Sequence, residues 1–116
     1  MAPRRVFHLL PWADYEALRD GGSAAEHRPA SLLREGFVHL SYAEQLAGTL
    51  CAHFAGAGRL ALLELDPGRL DGDLRSEPSR GGALFPHLYR ALRASDVAAA
   101  WPLEPAQGFA LPAGLA

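Results

Sequence analysis

The 116-residue chain contains no lysine, no isoleucine and no asparagine, and all eleven of its basic residues are arginine. The absence of lysine excludes a catalytic lysine and its Schiff base. The single cysteine, Cys51, excludes an internal disulfide and a cysteine-based zinc site, and it is typical of a reducing cytoplasm. No apolar run approaches the roughly 20 residues that span a bilayer, so we expect a cytoplasmic protein without a membrane partner.

The formal net charge of −2 lacks the basic excess that bulk nucleic-acid binding requires, but it leaves room for a small anion pocket. With 49% hydrophobic and 21% charged residues, the composition is that of one globular domain. We expect this domain over residues 1–103. The stretch 104–116 is rich in proline, glycine and alanine, so we expect an irregular C-terminal tail there. The sequence favours no particular oligomeric state.

Hydrophobic periodicity predicts a small mixed domain with two main helices among short strands. Strands are predicted at 6–10, 37–40, 60–65, 74–77 and 97–103, with 60–65 as the central strand because it is the most apolar run. Helices are predicted from Pro11 to about Asp20 and from about Tyr42 to Phe54. The helices lie in the first half and most strands in the second, which favours an α+β domain over an alternating parallel sheet.

Two predicted strands carry polar residues that suit ligand binding. In the first strand, His8 lies among apolar neighbours, as either a core histidine with one hydrogen bond or a ligand-binding imidazole. In the second, alternation places His39 and Ser41 on one face, where an imidazole and a hydroxyl together can bind a ribose or an amide edge. Ser41 also has the spacing to Glu44 of a capping box, which favours a structural role as a helix N-cap.

A cluster of chemically active residue types lies between positions 77 and 89: Glu77, Arg80, Gly81, Gly82, His87 and Tyr89. Arg80 beside the two glycines can present its forked donor together with backbone N–H groups, which suits a phosphate or a carboxylate. The alternative is an ordinary surface turn with a solvated arginine. On the predicted central strand, Glu64 is either a buried carboxylate with an arginine partner or a strand-end residue that reaches solvent.

The remaining candidates concern metal binding and thiol chemistry. His8, His39 and His87 form a zinc site if the fold brings them together. Cys51 lies among apolar residues of a predicted helix, so we expect a small core residue rather than a nucleophile. His53 lies one position off the apolar stripe of the same helix, and for this histidine and His27 we expect no functional role.

The motifs together resemble a family of small bacterial proteins, the domain-of-unknown-function family 952, over about residues 5–103. The segments that carry the resemblance are Phe7-His8 with Trp12, Glu35-Gly36-Phe37-Val38-His39-Leu40-Ser41 with Glu44-Gln45, Leu62-Leu63-Glu64-Leu65-Asp66, and Ser79-Arg80-Gly81-Gly82-Ala83-Leu84-Phe85-Pro86-His87-Leu88-Tyr89.

A more distant resemblance is to the tRNA 2′-phosphotransferases, which have the ADP-ribosyltransferase-like fold. A histidine in the first strand, a Val-His-Leu-Ser strand and a late Ser-x-x-Gly…Pro-x-x-Tyr segment follow the same order. The resemblance implies a split β-sheet of short strands whose cleft takes NAD. It also implies that His8 contacts a ribose and that Arg80 faces a phosphate. The other matched or retained positions are Arg34, His39, Ser41, Pro86 and Tyr89, with Glu77 a candidate for the catalytic carboxylate.

These observations lead to one functional hypothesis and two alternatives. The hypothesis is an ADP-ribosyltransferase-like enzyme, or a binder of a small nucleotide-like ligand, that takes NAD as a substrate rather than a cofactor. Its catalytic residues are His39, Arg80 and Glu77, and its binding residues are His8, Ser41, Arg34, His87 and Tyr89. The first alternative is a non-catalytic module in which the bulky pair Leu9-Leu10 fills the cleft. The second is the small histidine-based metal site.

Overall fold

The computed structural model describes residues 4–70 and 72–115, and within them it shows nine β-strands and four α-helices. The predicted domain start at residue 1 and the predicted tail end at residue 116 lie outside the described residues. The strands are β1 (Val6–Pro11), β2 (Glu26–His27), β3 (Val38–His39), β4 (Ser41–Tyr42), β5 (Leu60–Leu65), β6 (Leu74–Pro78), β7 (Leu84–Leu88), β8 (Leu92–Arg93) and β9 (Val97–Leu103). The helices are α1 (Trp12–Asp20), α2 (Ala30–Glu35), α3 (Leu46–His53) and α4 (Pro67–Leu70).

The main sheet has four antiparallel strands in the order β4-β1-β5-β9. The prediction that 60–65 is a central strand is confirmed, because β5 pairs with β1 on one side and with β9 on the other. Side chains alternate between the two faces of β5, so Leu63 and Leu65 enter one hydrophobic core while Leu60 and Leu62 enter a second. The sheet is therefore buried on both faces.

The other strands form two smaller antiparallel sheets, β3-β7-β6 and β2-β8. Strand β7 contains Pro86, and because of this proline the sequence predicted neither a helix nor a strand here. The strand tolerates proline because β3 pairs only with positions 87 and 88. The carbonyl of Pro86 instead accepts a hydrogen bond from the Leu40 N–H at 3.1 Å. The predicted α+β class is confirmed, and its short strands are divided among three sheets.

The helical segment that contains α3 begins one residue later than predicted. Ser41 remains in β4, paired with Phe7 of β1, so it is not available as an N-cap. The side chain of Gln45 instead accepts a hydrogen bond from the Tyr42 N–H at 2.9 Å. The predicted helix from Tyr42 to Phe54 accordingly begins with a 3-10 turn over Ala43–Gln45 and continues as α3.

The expectation that Cys51 is a core residue is wrong, because its side chain is exposed. Leu46 and Leu50, four residues apart, form the buried stripe of α3, and position 51 is turned by about 100° from position 50. Cys51 instead borders a small apolar groove between α3 and Phe109 of the C-terminal segment.

The C-terminal segment over 104–115 contains one 3-10 turn, Pro105–Gln107, and otherwise has no regular structure. It lies over the second core, where Leu115 is buried and both Phe109 and Leu111 pack against the cluster. No helix in the described ranges has the length and apolar character needed to cross a membrane.

Candidate functional site

A cavity of about 570 Å³ lies beside β1, between α3 and the turn that precedes β7. Its walls combine apolar side chains, among them Leu9, Leu10 and Phe85, with a larger set of polar ones. The polar and charged residues that line it are His8, Asp14, His27, Ser31, His39, Ser41, Thr49, His53, Ser79 and Arg80. Four of the buried lining residues are called the floor: His8, Leu9, Leu10 and Ser41. Four of the exposed lining residues are called the rim: Asp14, His39, His53 and Arg80.

His8 is the polar centre of the floor. Its Nδ1 donates to the carbonyl oxygen of His39 at 2.9 Å, which leaves Nε2 as the acceptor nitrogen of the neutral ring. This Nε2 is buried and has no hydrogen-bond partner among the described residues. Burial, reinforced by the charge of His27, lowers the pKa of His8 to about 4. At neutral pH the floor therefore contains an uncharged, unpaired hydrogen-bond acceptor that neighbouring atoms cover.

A chain of hydroxyl groups joins the floor to the rim. The Ser41 Oγ lies 3.0 Å from the Thr49 Oγ1, and the Arg80 Nη1 donates to the same Thr49 oxygen at 3.4 Å. Ser41 is held by the pairing of β4 with β1, while Thr49 projects from α3. Because three separate elements meet in this chain, the position of the guanidinium is fixed relative to the floor.

The guanidinium of Arg80 packs against α3 on one side and against an aromatic ring on another. A Cβ on Gly48 would lie 3.0 Å from the Arg80 Nη2, so the missing side chain lets the guanidinium lie against α3. On another side the guanidinium carbon lies 4.8 Å from the centre of the Phe85 ring. The following residues Gly81 and Gly82 have φ of 68° and 82°, which glycine adopts at little cost. Within the described residues, no carboxylate lies within 4 Å of Arg80.

His39 stands at the rim on β3. Its Nε2 lies 3.4 Å from the Glu35 carboxylate, and its ring packs edge-on against Phe37 at 4.9 Å and His87 at 5.4 Å. Strand alternation and the backbone link to His8 place this half-exposed imidazole beside the floor. A solvated imidazole next to a carboxylate can exchange protons with a bound molecule.

The structure brings His8, His39, Ser41 and Arg80 to one cavity, and it adds two histidines for which no role was expected. His27 lies on β2 with its ring 5.8 Å from that of His8, and burial lowers its pKa. His53 lies four residues after Thr49 on α3, so both face the cavity from one side of the helix. The spacing of Thr49 and His53 was a usable signal in the sequence.

Glu77, His87 and Tyr89 lie apart from the cavity lining and form a cluster of their own. In the β6–β7 pair, Glu77 and His87 are diagonal neighbours, since Glu77 is opposite Phe85 and His87 is opposite Arg75. The Glu77 carboxylate accepts a hydrogen bond from the Tyr89 hydroxyl and another from the His87 Nδ1 at 3.0 Å. These bonds lower the pKa of Glu77, that from Tyr89 most, and raise the pKa of Tyr89.

The buried ring of His87 is covered by Phe37, which stacks on it with ring centres 4.0 Å apart. The predicted nucleotide-binding roles of His87 and Tyr89, and the predicted catalytic role of Glu77, therefore have no support from cavity geometry. The physical reason is pairing within the sheet, which turns these side chains toward one another.

Two other charged candidates also lie outside the cavity lining. Arg34 is exposed on the short helix α2. Glu64 forms a two-point ion pair with Arg5, with both N–O distances 2.8 Å, and this hydrogen bonding lowers the pKa of Glu64. The arginine partner expected for a partly buried Glu64 is thus present, and this carboxylate is engaged with it rather than with the cavity.

The structure bears on one premise of each alternative: that the pair Leu9-Leu10 fills the cleft, and that three histidines meet at a metal. Leu9 and Leu10 do not fill the cleft, because they pack into the two cores on opposite faces of β1 and the cavity remains beside them. His8, His39 and His87 do not converge on a metal position either. Over residues 4–70 and 72–115, no group of three histidine, cysteine or carboxylate side chains is arranged to hold a metal ion.

The fold and the cavity define a small α+β domain with a histidine-lined cavity. The chain belongs to the family described as "Protein of unknown function (DUF952)", whose model matches residues 9–100. The crystal structure of protein CC0527 from Caulobacter crescentus is 38% identical and has a TM-score of 0.76, with 86% of each chain covered.

A solution NMR structure of the same Caulobacter protein has a TM-score of 0.73 at 38% identity, covering 86% of this chain and 84% of that one. No curated protein matches the chain. Neither the family description nor the names of these structures state an activity, so any function must be argued from the site.

Proposed function

We propose that the chain binds a small phosphorylated ribose compound, the class that includes nucleoside phosphates, ADP-ribose and NAD, in the cavity. The supporting observation is that His8, Ser41, His39 and Arg80 all line one cavity of about 570 Å³. Sites for small organic ligands have volumes of roughly 300–1,000 Å³, with mostly apolar walls and a few polar groups that fix orientation. The volume of the cavity falls in this range, and its ten polar lining residues supply the groups that can fix the orientation of a ligand.

Each polar group has a suitable partner in such a ligand. Arg80 has a planar fork of N–H donors and no carboxylate within 4 Å in the described residues, which suits a phosphate. The unpaired Nε2 of His8 can accept a hydrogen bond from a ribose hydroxyl when the atoms that cover it shift. The combination of an anion site and a hydroxyl site on shared walls favours a sugar phosphate over a simple anion.

Transferase chemistry on NAD needs more than these two groups. Breaking the bond between nicotinamide and ribose develops a cation on the sugar, which a nearby carboxylate stabilises. Glu77 is engaged with His87 and Tyr89, and among the described residues Asp14 is the carboxylate that lines the cavity. The proposal is therefore binding, and the similarity to the tRNA 2′-phosphotransferases stays a prediction.

Titration calorimetry and thermal unfolding with ADP-ribose, NAD and ribose 5-phosphate test the proposal. At least one of these ligands is expected to bind and to raise the melting temperature. Arg80→Gln is expected to weaken that binding about 10- to 100-fold, because hydrogen bonds to charged groups contribute roughly 1.5–3 kcal/mol. Arg34→Gln is the matched control, since Arg34 is exposed and outside the lining. Absence of heat and of any thermal shift at millimolar ligand overturns the proposal.

A further inference from the structure

We infer that the natural ligand carries a single terminal phosphate, which binds at the rim, and that its uncharged, hydroxyl-bearing end lies on the floor. The inference rests on the proposed function and narrows its substrate class. It selects a sugar phosphate or nucleoside monophosphate over a dinucleotide with an internal pyrophosphate.

The charged groups of the cavity lining lie at the rim, and the floor is uncharged. The floor is buried and uncharged, with His8 at 7% and Ser41 at 4% exposure beside two leucines. The charged side chains of the lining, Asp14 and Arg80, are exposed and belong to the rim. A pyrophosphate that lay beside the neutral floor would have no cation there, and a buried charge without a partner is strongly unfavourable. A terminal phosphate avoids this because it stays at the rim.

Among the described residues, the cavity lining holds one guanidinium. Arg80 is the only arginine among the described lining residues, and the chain has no lysine. One planar fork binds the oxygens of one phosphate in a two-point arrangement. Contacts with Gly48, Thr49 and Phe85 favour a position of this fork at the rim, where it meets a terminal phosphate.

The hydrogen-bonding polarity of the floor favours a donor group. The Nδ1–H of His8 is engaged by the His39 carbonyl, so the unpaired ring atom is Nε2, an acceptor that neighbouring atoms cover and that a ligand reaches when they shift. An acceptor repels phosphate oxygens and attracts a hydroxyl or an amide N–H. The buried end of the ligand must therefore donate a hydrogen bond, which a sugar hydroxyl does.

Calorimetry with four probes tests this inference: ribose 5-phosphate, inorganic phosphate, ADP-ribose and NAD. Ribose 5-phosphate is expected to bind at least tenfold more tightly than each of the other three. The variants His8→Asn and Arg80→Gln separate the two ends of the ligand. Asparagine can keep the donor to the His39 carbonyl but has no atom at the Nε2 position, so His8→Asn should weaken ribose 5-phosphate about tenfold and leave inorganic phosphate unchanged. Arg80→Gln should weaken both.

Gly48→Ala provides a second variant that does not touch the floor. The new methyl group would displace the guanidinium, so ribose 5-phosphate should bind several-fold more weakly. The melting temperature should rise at the same time, because alanine is the better residue inside a helix. Arg34→Gln is again the control and should bind like the unmodified chain.

The outcomes distinguish the two proposals. Binding of ADP-ribose or NAD as tightly as ribose 5-phosphate overturns the inference and leaves the proposed function standing. Equal binding of inorganic phosphate and ribose 5-phosphate also overturns it, because the floor would then contribute nothing. If none of the four probes binds, both proposals are overturned.

Discussion

The buried His8 should make the stability of this protein fall in mild acid. Its folded-state pKa is lowered to about 4, whereas the ordinary value, appropriate to the unfolded chain, is about 6.5. Between these two values the unfolded chain binds a proton that the folded chain does not, so unfolding is favoured as the pH decreases. Above about pH 6.5 His8 is neutral in both states and has no effect of this kind.

The size of the effect follows from the two pKa values. Each pKa unit corresponds to about 1.36 kcal/mol, so lowering the pH from about 7 to about 4 should remove about 3 kcal/mol of folding free energy through His8 alone. By about pH 5 roughly 2 kcal/mol is already lost. Since small domains have a total stability of about 5–15 kcal/mol, this loss is a substantial fraction.

Urea unfolding followed by tryptophan fluorescence, at several pH values between about 4 and 7, measures this contribution. The other titrating groups are shared between the unmodified chain and His8→Asn, so the difference between their pH profiles isolates His8. The variant should lose about 3 kcal/mol less on acidification. Parallel pH profiles for the unmodified chain and His8→Asn would show that His8 does not cause the loss of stability in acid.

Three further predictions concern groups outside the cavity floor. Glu77→Gln should lower the pKa of Tyr89 toward its ordinary value, because the variant lacks the carboxylate that raises this pKa. Ultraviolet titration of tyrosinate measures the pKa, and an unchanged titration curve would contradict the prediction. Arg90→Gln should destabilise the domain by about 3 kcal/mol in urea unfolding, because Asp96 is buried and would lose its partner. A loss below about 1 kcal/mol would mean that the pair behaves like a surface salt bridge. Cys51 should react with a thiol reagent in the folded protein at close to its rate in urea, and protection in the folded state would show that the thiol is covered.

The parts of the fold that could be predicted are those with a strong local pattern. The apolar run at 60–65 and the short run after Arg5 predicted β5 and β1, because a strand buried on both faces is hydrophobic at most of its positions. Gly36, at φ 87°, ends α2, as glycine commonly does at a helix C-terminus. Local chemistry decided these features.

The parts that could not be predicted depend on distant pairing. β2 has only two residues and exists because it pairs with β8, which lies some 65 residues later in the chain. β7 is a strand despite Pro86 because β6 supplies its partner along the full length. A pattern read within one segment cannot contain this information.

The candidate site shows the same division. The sequence indicated His39 and Ser41 as ligand-binding residues of one strand. The structure places them in strands of different sheets, and both line the cavity with His8 and Arg80. His27 could not be found, because the two-residue β2 carries it to His8. Residues 77–89 looked like one functional loop, but pairing of β6 with β7 separates Arg80 from the Glu77–His87 pair.

The connection between β3 and β4 has a consequence for recognition. His39 ends a strand of one sheet and Ser41 begins a strand of another, so Leu40 alone joins them. Leu40 is 3% exposed, and its N–H donates to the carbonyl oxygen of Pro86, so this connection is tightly packed and hydrogen-bonded. The two sheets that border the cavity are therefore joined through Leu40, and under the proposed function the binding residues are in position before a ligand arrives. Such preorganisation reduces the entropy lost on association and allows a small molecule to be held with few contacts.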